Sequence, residues 1–371
     1  MRTTDVRVRR AVAAVAAGRP VVVTAGTDGA GQGYLVFAAD AATPRLLAFT
    51  VRHTSGLVRI ALPVSECERL NLPAMCLRPA AGSDAAAQRV TVDWRGTGTG
   101  ISATDRARTI AALSAPQSDA SDFHRPGHVL PVMAELGGVL AHPGPAEAAF
   151  DLARLAGRGR AGALCDIVSR DHPTEMAGRA ESAEFADEHG LAHVSTADLA
   201  AYRRRTEPQV TRVAETILPT RSGDSLIVGF RGVSDDREHL AIVVGAVGVD
   251  QPLQLHVHVE CLTGDVFGST ACRCGGDLDG ALASMAAHGG GVVIYLRPQG
   301  PARGCGLFEG EAPAADLVAE TVEWILRDLG LYTIKLSEDA PALGLVMFGD
   351  IRDTKWHNGY RGLPAMAAEG A

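Results

Sequence analysis

Several absences narrow the possibilities before any motif does. No run of roughly 18 or more apolar residues occurs in the 371-residue chain, so no membrane-spanning helix is expected. The stretch from Met1 to Arg10 has no apolar core of the kind a secretory leader carries. Base is not in surplus either. With 35 Lys and Arg against 43 Asp and Glu, the formal net charge is -8, which argues against a dedicated nucleic-acid binder and its basic face. The glycines between positions 26 and 33 are not followed by Gly-Lys-Ser/Thr, so an ordinary phosphate-binding P-loop is not expected there. No internal repeat is visible. The expected location is the cytoplasm, with the odd number of seven cysteines kept reduced.

What is present fits a globular protein: 46% apolar and 21% charged residues. The length suggests two domains, each able to bury a core without staples. Helices are expected over residues 6–17, 44–53, 104–112, 146–156, 181–189 and 196–204, with Ser102 or Thr104 as the cap of the third. Strands are expected over 20–23, 35–39, 57–62, 88–93, 162–168 and 192–195. Residues 78–89 suggest a loop. The charge run Arg203-Arg204-Arg205, followed by Pro208, marks the boundary between residues 1–205 and 206–371. Beyond it the pattern turns strand-rich, with β-branched runs at 210–218, 224–232, 238–246 and 253–259. Helices at 277–288 and 315–329 and strands at 291–296 and 331–336 complete the pattern. The fold class is α+β, two mixed α/β domains in tandem.

The most informative stretch runs from Glu260 to Gly275. It holds Cys261, Cys272 and Cys274 in a C-x10-C-x-C spacing around a Gly/Thr/Asp turn. Three thiolates leave one corner of a tetrahedral zinc open, the pattern of a catalytic site. Zinc there would bring its bound water close to ionisation near neutral pH. The alternatives are three idle cysteines, or closure by His256. His256 alternates with His258 on a predicted strand, so both rings could face the metal pocket.

Residues 10–203 resemble 3,4-dihydroxy-2-butanone 4-phosphate synthase. The matching runs are Val15 to Val23, Leu35 to Ala39, Thr99 to Ile110, Arg125-Pro126-Gly127-His128 and Glu147 to Ala156. That resemblance implies conversion of ribulose 5-phosphate to dihydroxybutanone phosphate and formate, with Mg2+ holding substrate oxygens. It assigns Asp105, Arg106, Thr109, Arg125 and Glu147 to substrate and phosphate, and His128 and Asp166 to catalysis. The departures fall on the chemistry. The family's acidic loop Asp-Arg-Glu-Asn-Glu-Gly-Asp becomes Asp28 to Tyr34, which puts Ala30, Gln32 and Tyr34 at acidic positions. The family's metal-binding His becomes Pro145. Neither Mg2+ ligand position keeps a donor, and His142 would have to shift by three residues to replace one.

Residues 210–336 resemble a shortened GTP cyclohydrolase II, and the two domains in this order resemble the bifunctional riboflavin-biosynthesis enzymes. The family's zinc ligands map to Cys261, Cys272 and Cys274, and its retained Glu to Glu260, which the resemblance assigns to catalysis. The motif Gln-Glu-Gly-Arg-Gly-Ile-Gly-Leu becomes Gln299 to Leu307, in which Arg303 is left to contact phosphate. The catalytic Asp-x-Arg pair falls at Ala315 and Leu317, and a basic motif is replaced by Ser337 to Pro341. The resemblance implies a homodimer, zinc, and substrates among sugar phosphates or purine nucleotides. The departures imply loss of both standard activities and use in a related zinc- or sugar-phosphate-dependent step. A non-catalytic regulatory or scaffold partner and a weakly active riboflavin enzyme are the alternatives.

Overall fold

The computed structural model describes residues 3–26, 31–76, 87–233, 237–245, 253–297, 302–307, 315–331 and 334–336. Ala30, residues 78–86, Gln299 and the Ser337–Pro341 motif fall outside them. The chain divides into two compact units, Met1–Thr206 and Glu207–Ala371.

In the first unit the elements run α1 (Thr3–Ala16), β1 (Val21–Ala25), β2 (Gln32–Ala38), α2 (Pro44–His53), β3 (Arg59–Pro63), α3 (Val64–Arg69) and β4 (Val92–Trp94). They continue with α4 (Ala103–Ser114), β5 (Phe123–Ala134), α5 (Pro145–Leu155), β6 (Gly162–Asp166), α6 (Arg179–Glu188), β7 (Ala192–Ser195) and α7 (Thr196–Thr206). The strands form one mixed sheet in the order β4-β5-β3-β6-β2-β1-β7. Alternation along the strands sends side chains to opposite faces. Val36 and Ala61 join a core with α1, α5 and α7, through Val8, Phe150 and Leu199. Phe37, Ile60 and Leu62 join another with α2 and α4, through Leu47, Ile110 and Leu113. The sheet is therefore covered by helices on both faces.

Local signals set the helix starts. Thr43 caps α2 by accepting from Leu46 N, with Pro44 at the first helical position. Of the two candidates for α4, Ser102 is the cap, its Oγ accepting from Asp105 N at 3.0 Å.

Two elements depart from the sequence pattern. Phe123–Ala134 is a twelve-residue strand where the sequence pattern suggests none. The expected strand at 88–93 shortens to β4, with isolated bridges at Gln88 and Arg89.

In the second unit, β8 (Val210–Thr220), β9 (Gly223–Gly232), β10 (Glu238–Gly245), β11 (Leu253–Val259), α8 (Cys274–Ala287), β12 (Gly290–Leu296), α9 (Ala315–Asp328) and β13 (Ile334–Leu336) follow in turn. The sheet order is β13-β11-β12-β10-β9-β8. Val257, Val292 and Ile294 pack with Val322, Ile325 and Leu326 of α9, while Val244 and Val293 pack with Met285 of α8 on the other face. β11 and β12 are parallel, with Val259 opposite Leu296. Their carboxyl ends therefore lie side by side, and the loops leaving them meet at one edge. Among the described residues, no helix is long and apolar enough to cross a membrane.

Candidate functional site

That edge of the second sheet gathers four cysteines. The Sγ atoms of Cys261, Cys272, Cys274 and Cys305 all lie within 4.8 Å of one another. Cys261 follows β11, while Cys272 and Cys274 sit at the start of α8, whose N-terminus favours negative charge. Cys305 comes from the loop after β12. The Cys261–Cys272 sulfurs are 3.8 Å apart and the Cys274–Cys305 sulfurs 3.9 Å. Bonds of about 2.3 Å to a tetrahedral zinc place sulfurs about 3.8 Å apart, so the donor set fits a metal of that kind. A Cβ at Gly264 would meet Cys272 Sγ at 3.0 Å, and one at Gly275 would meet Gly264 O at 2.3 Å. The two glycines are what let the loop and the helix start come this close.

The three expected sulfurs are thus joined by a fourth, Cys305 Sγ. His256 is not part of that group. It is buried, its ring centroid lies 6.0 Å from that of His258, and it stands outside the four-sulfur group. Charge on the sulfurs is uneven. Burial opposes ionisation of Cys261, but hydrogen bonds from Thr263 and from the Cys305 and Gly264 backbone outweigh it and bring the thiol down to about 6. Burial and the neighbouring sulfurs push Cys274 up, and contact with Cys261 together with burial raises Cys305. Four sulfurs this close cannot all ionise without a cation among them.

Asp265 ties the loop to the sheet. Its carboxylate accepts from Cys261 N at 2.8 Å and from Tyr295 Oη at 2.8 Å, and lies 3.0 Å from His258 Nε2. Burial and the bond to Asp265 raise Tyr295 well above the ordinary phenol range. The remaining candidates have local partners. Glu260 lies 3.4 Å from Arg297 Nε, and Arg303 O accepts from Leu262 N at 2.7 Å. Ala315 and Leu317 lie at the start of α9.

In the first unit, Asp93 on β4 holds His128 on β5 through both carboxylate oxygens. Oδ1 accepts from His128 N at 2.9 Å and Oδ2 lies 2.7 Å from Nδ1. The imidazole is 40% exposed. Arg106 is buried, donates from Nη1 to Gly56 O at 2.8 Å, and leaves Nε with no hydrogen-bond partner among the described residues. Burial lowers its pKa, while the charges of Cys165 and Asp93 act the other way. Thr109 Oγ1 donates to Asp105 O and accepts from Trp94 N, so its hydroxyl is committed to backbone. Arg125 donates to the carbonyls of Ala120, Phe123 and Leu70. Glu147 accepts from Glu135 N and lies 3.1 Å from His142 Nδ1. Pro145 opens α5, where it offers no side-chain donor.

At the end of β6, Asp166 pairs with Arg59 at 2.7 Å. Tyr34 lies opposite Asp166 in the β2–β6 register, and the Arg59 guanidinium sits 5.6 Å from the Tyr34 ring centroid. The end of β6 thus holds one carboxylate matched by one guanidinium.

Comparison with known proteins fits this division. Residues 9–202 match the family model of 3,4-dihydroxy-2-butanone 4-phosphate synthase, and residues 211–342 that of GTP cyclohydrolase II. The riboflavin biosynthesis protein RibBA of Rhodococcus jostii is 45% identical, over 92% of this chain and 88% of that protein. The chain belongs to the RibBA family. RibBA of Mycobacterium tuberculosis strain H37Rv is 44% identical, over 92% of this chain and 86% of its own. Among solved structures, RibBX of A. baumannii, described as a two-domain 3,4-dihydroxy-2-butanone 4-phosphate synthase, matches with a TM-score of 0.70 and 31% identity. That match covers 91% of this chain and 96% of that one. A synthase solved with two magnesium ions matches at a TM-score of 0.51 and 34% identity, over 54% of this chain and 97% of its own.

Within this RibBA-family fold, three residues of the two sites were missed at the sequence level. Cys305 lies 31 positions from Cys274, with a strand between them. Asp93 falls on an expected strand, where nothing local marks a role. Arg59 sits on an apolar strand where only its charge could have marked it. As for cofactors, the four cysteines fit a metal. Of the two Mg2+ positions, Pro145 has no side-chain donor and Ala30, outside the described residues, is an alanine, so the residues do not fit Mg2+.

Proposed function

We propose that this RibBA-family protein acts on a small phosphorylated carbohydrate through an acid–base site in its first unit. On this reading it makes neither dihydroxybutanone phosphate with formate nor the ring-opened product of GTP. The observation that carries the reading is the Arg59–Asp166 ion pair beside Tyr34. A hard cation needs anionic oxygen ligands, and here the carboxylate already faces a fixed guanidinium.

The retained groups support proton transfer. Asp93 fixes the ring of His128 through Nδ1, and Nε2 has no protein partner among the described residues. In this geometry Nε2 accepts a proton from a carbon next to a carbonyl, and Asp93 stabilises the imidazolium that results. The buried Arg106 has an unused Nε–H for a phosphate oxygen. In the second unit the positions of the Asp-x-Arg pair are Ala315 and Leu317, which supply neither nucleophile nor cation. A metal held by the four cysteines would cross-link the loops at that edge. The ligand class that fits is a sugar phosphate, and the assembly that fits is a homodimer, supported by the exposed Ile217 and Leu218 on the edge strand β8.

A second reading, a weakly active riboflavin enzyme, is favoured by the 45% identity to RibBA and the retained His128. One experiment separates the two. The protein is given ribulose 5-phosphate with Mg2+ and, separately, GTP, and the products are identified by mass spectrometry beside an active RibBA. No butanone phosphate, formate or diaminopyrimidine is expected. Appearance of either product set above a protein-free blank overturns the proposal, and a rate well below the control is what the second reading expects.

A further inference from the structure

We infer that Cys305 is a fourth metal ligand, and that the centre in the second unit is a closed four-thiolate site that organises loops instead of ionising water. The inference is independent of the acid–base site in the first unit.

The first argument is shape. The Cys261–Cys272 and Cys274–Cys305 contacts share no sulfur, so they are opposite edges of one tetrahedron. Both are close to the roughly 3.8 Å edge that four bonds of about 2.3 Å impose. With every sulfur within 4.8 Å of the others, one ion reaches all four. A three-cysteine site would keep the fourth corner for water, and here that corner holds Cys305 Sγ.

The second argument is that Cys305 is built into place. Its carbonyl accepts from Thr263 Oγ1 at 3.0 Å, and the carbonyl of Arg303 accepts from Leu262 N at 2.7 Å. Both donors belong to the turn that follows Cys261. Leu307 N donates to Gly304 O, and Gly306 at φ +77° lets the chain bend around the sulfur. Arg303 Nη2 lies 4.0 Å from Cys305 Sγ and Thr263 Oγ1 lies 3.5 Å from Cys261 Sγ, the kind of outer partner that steadies metal-bound thiolates. Two loops separated by β12 are thereby fastened at the backbone before any metal binds.

The third argument is charge. A divalent ion with four thiolates carries a formal charge of about -2 and has no free coordination position. Activation of water by zinc requires a bound water. A closed anionic centre supplies none, and it repels a triphosphate.

The test uses the full-length protein purified under reducing conditions. Zinc-edge X-ray absorption is expected to give one zinc per chain with four sulfurs at about 2.3 Å and no oxygen or nitrogen neighbour. Three sulfurs with one lighter neighbour overturn the inference, as does a metal-free protein or a Cys274–Cys305 disulfide. In protein reloaded with Co2+, the sulfur-to-metal absorption is expected to fall by about a quarter in Cys305→Ser, since one of four thiolates is gone. Cys76→Ser, which removes a cysteine outside the group, is expected to leave it unchanged. Equal spectra for Cys305→Ser and the parent protein overturn the assignment. If Cys305→Ser does not fold, the absorption spectrum of the parent protein decides alone. No turnover enters these measurements, so they stand or fall apart from the function proposed above.

Discussion

At the scale of single residues, the acid–base pair of the first unit rests on a glycine. Gly100 has φ +82°, and a Cβ there would come within 2.0 Å of Asp93 Oδ2 and 2.7 Å of His128 Nδ1. Gly100→Ala is therefore expected to cost more than backbone strain alone, because either the loop or the Asp93–His128 pair must move. Gly157 is the control, with φ +68° and nothing within 4 Å of its would-be Cβ. Gly157→Ala should cost about 1 kcal/mol and Gly100→Ala about 2–3 kcal/mol, read from urea unfolding midpoints. Equal costs would mean that the pair is not braced by this glycine. The same scale shows what a one-dimensional pattern hides. Cys261, Cys272 and Cys274 are legible because their spacing is local. Cys305 is not, because its approach depends on the parallel register of β11 and β12, which no local spacing encodes. Asp93 is hidden likewise: its partner His128 lies 35 positions along the chain.

At the scale of elements, the helices and most strands were legible because periodicity and caps are local signals. α2 falls on its expected residues, with Pro44 and Thr43 fixing its start. β5 was not legible. Pro126 and Gly127 read as punctuation, yet the strand runs through them, with Gly127 packed against the Val92 backbone, where a Cβ would lie 2.0 Å from Val92 C. Tertiary pairing with β3 and β4 overrides the local preference. The edge strand β7 carries a pH-dependent element. His193 on β7 lies beside Thr24 on β1, and burial lowers its pKa from 6.5, partly offset by Asp198. His53 on α2 is lowered too, by burial and then by His189. The unfolded chain binds these protons more readily than the folded one. Stability is therefore full above pH 6.5 and falls as pH drops below it, towards the lower folded-state values. His193→Gln should flatten part of that fall between pH 6.5 and about 5 in urea titrations at each pH. A fall identical to that of the parent protein would exclude His193 as a contributor.

At the scale of the whole molecule, the two units have separate cores, and among the described residues the candidate metal centre belongs to the second alone. The clusters around Phe150 and Leu47 contain only residues before Thr206, and the cluster around Ile294 only residues after Glu207. Each unit therefore has its own apolar driving force. Only the second has loops whose positions depend on the four sulfurs. A metal that binds the folded state alone stabilises it by mass action. Removal of the metal should then lower the unfolding transition of the second unit and leave that of the first in place. The three tryptophans give a direct readout, since Trp94 lies in the first unit and Trp324 and Trp356 fall in the second. In Trp94→Phe, fluorescence reports the second unit alone, and a chelator should shift its melting temperature by several degrees, in line with a loss of a few kcal/mol. Circular dichroism of the same sample should keep a second transition unmoved. If both transitions fall together, the units are coupled in stability. If neither moves while the metal is shown to leave, the four cysteines are spectators of folding, and the second unit is held by the packing of α8 and α9 on its sheet.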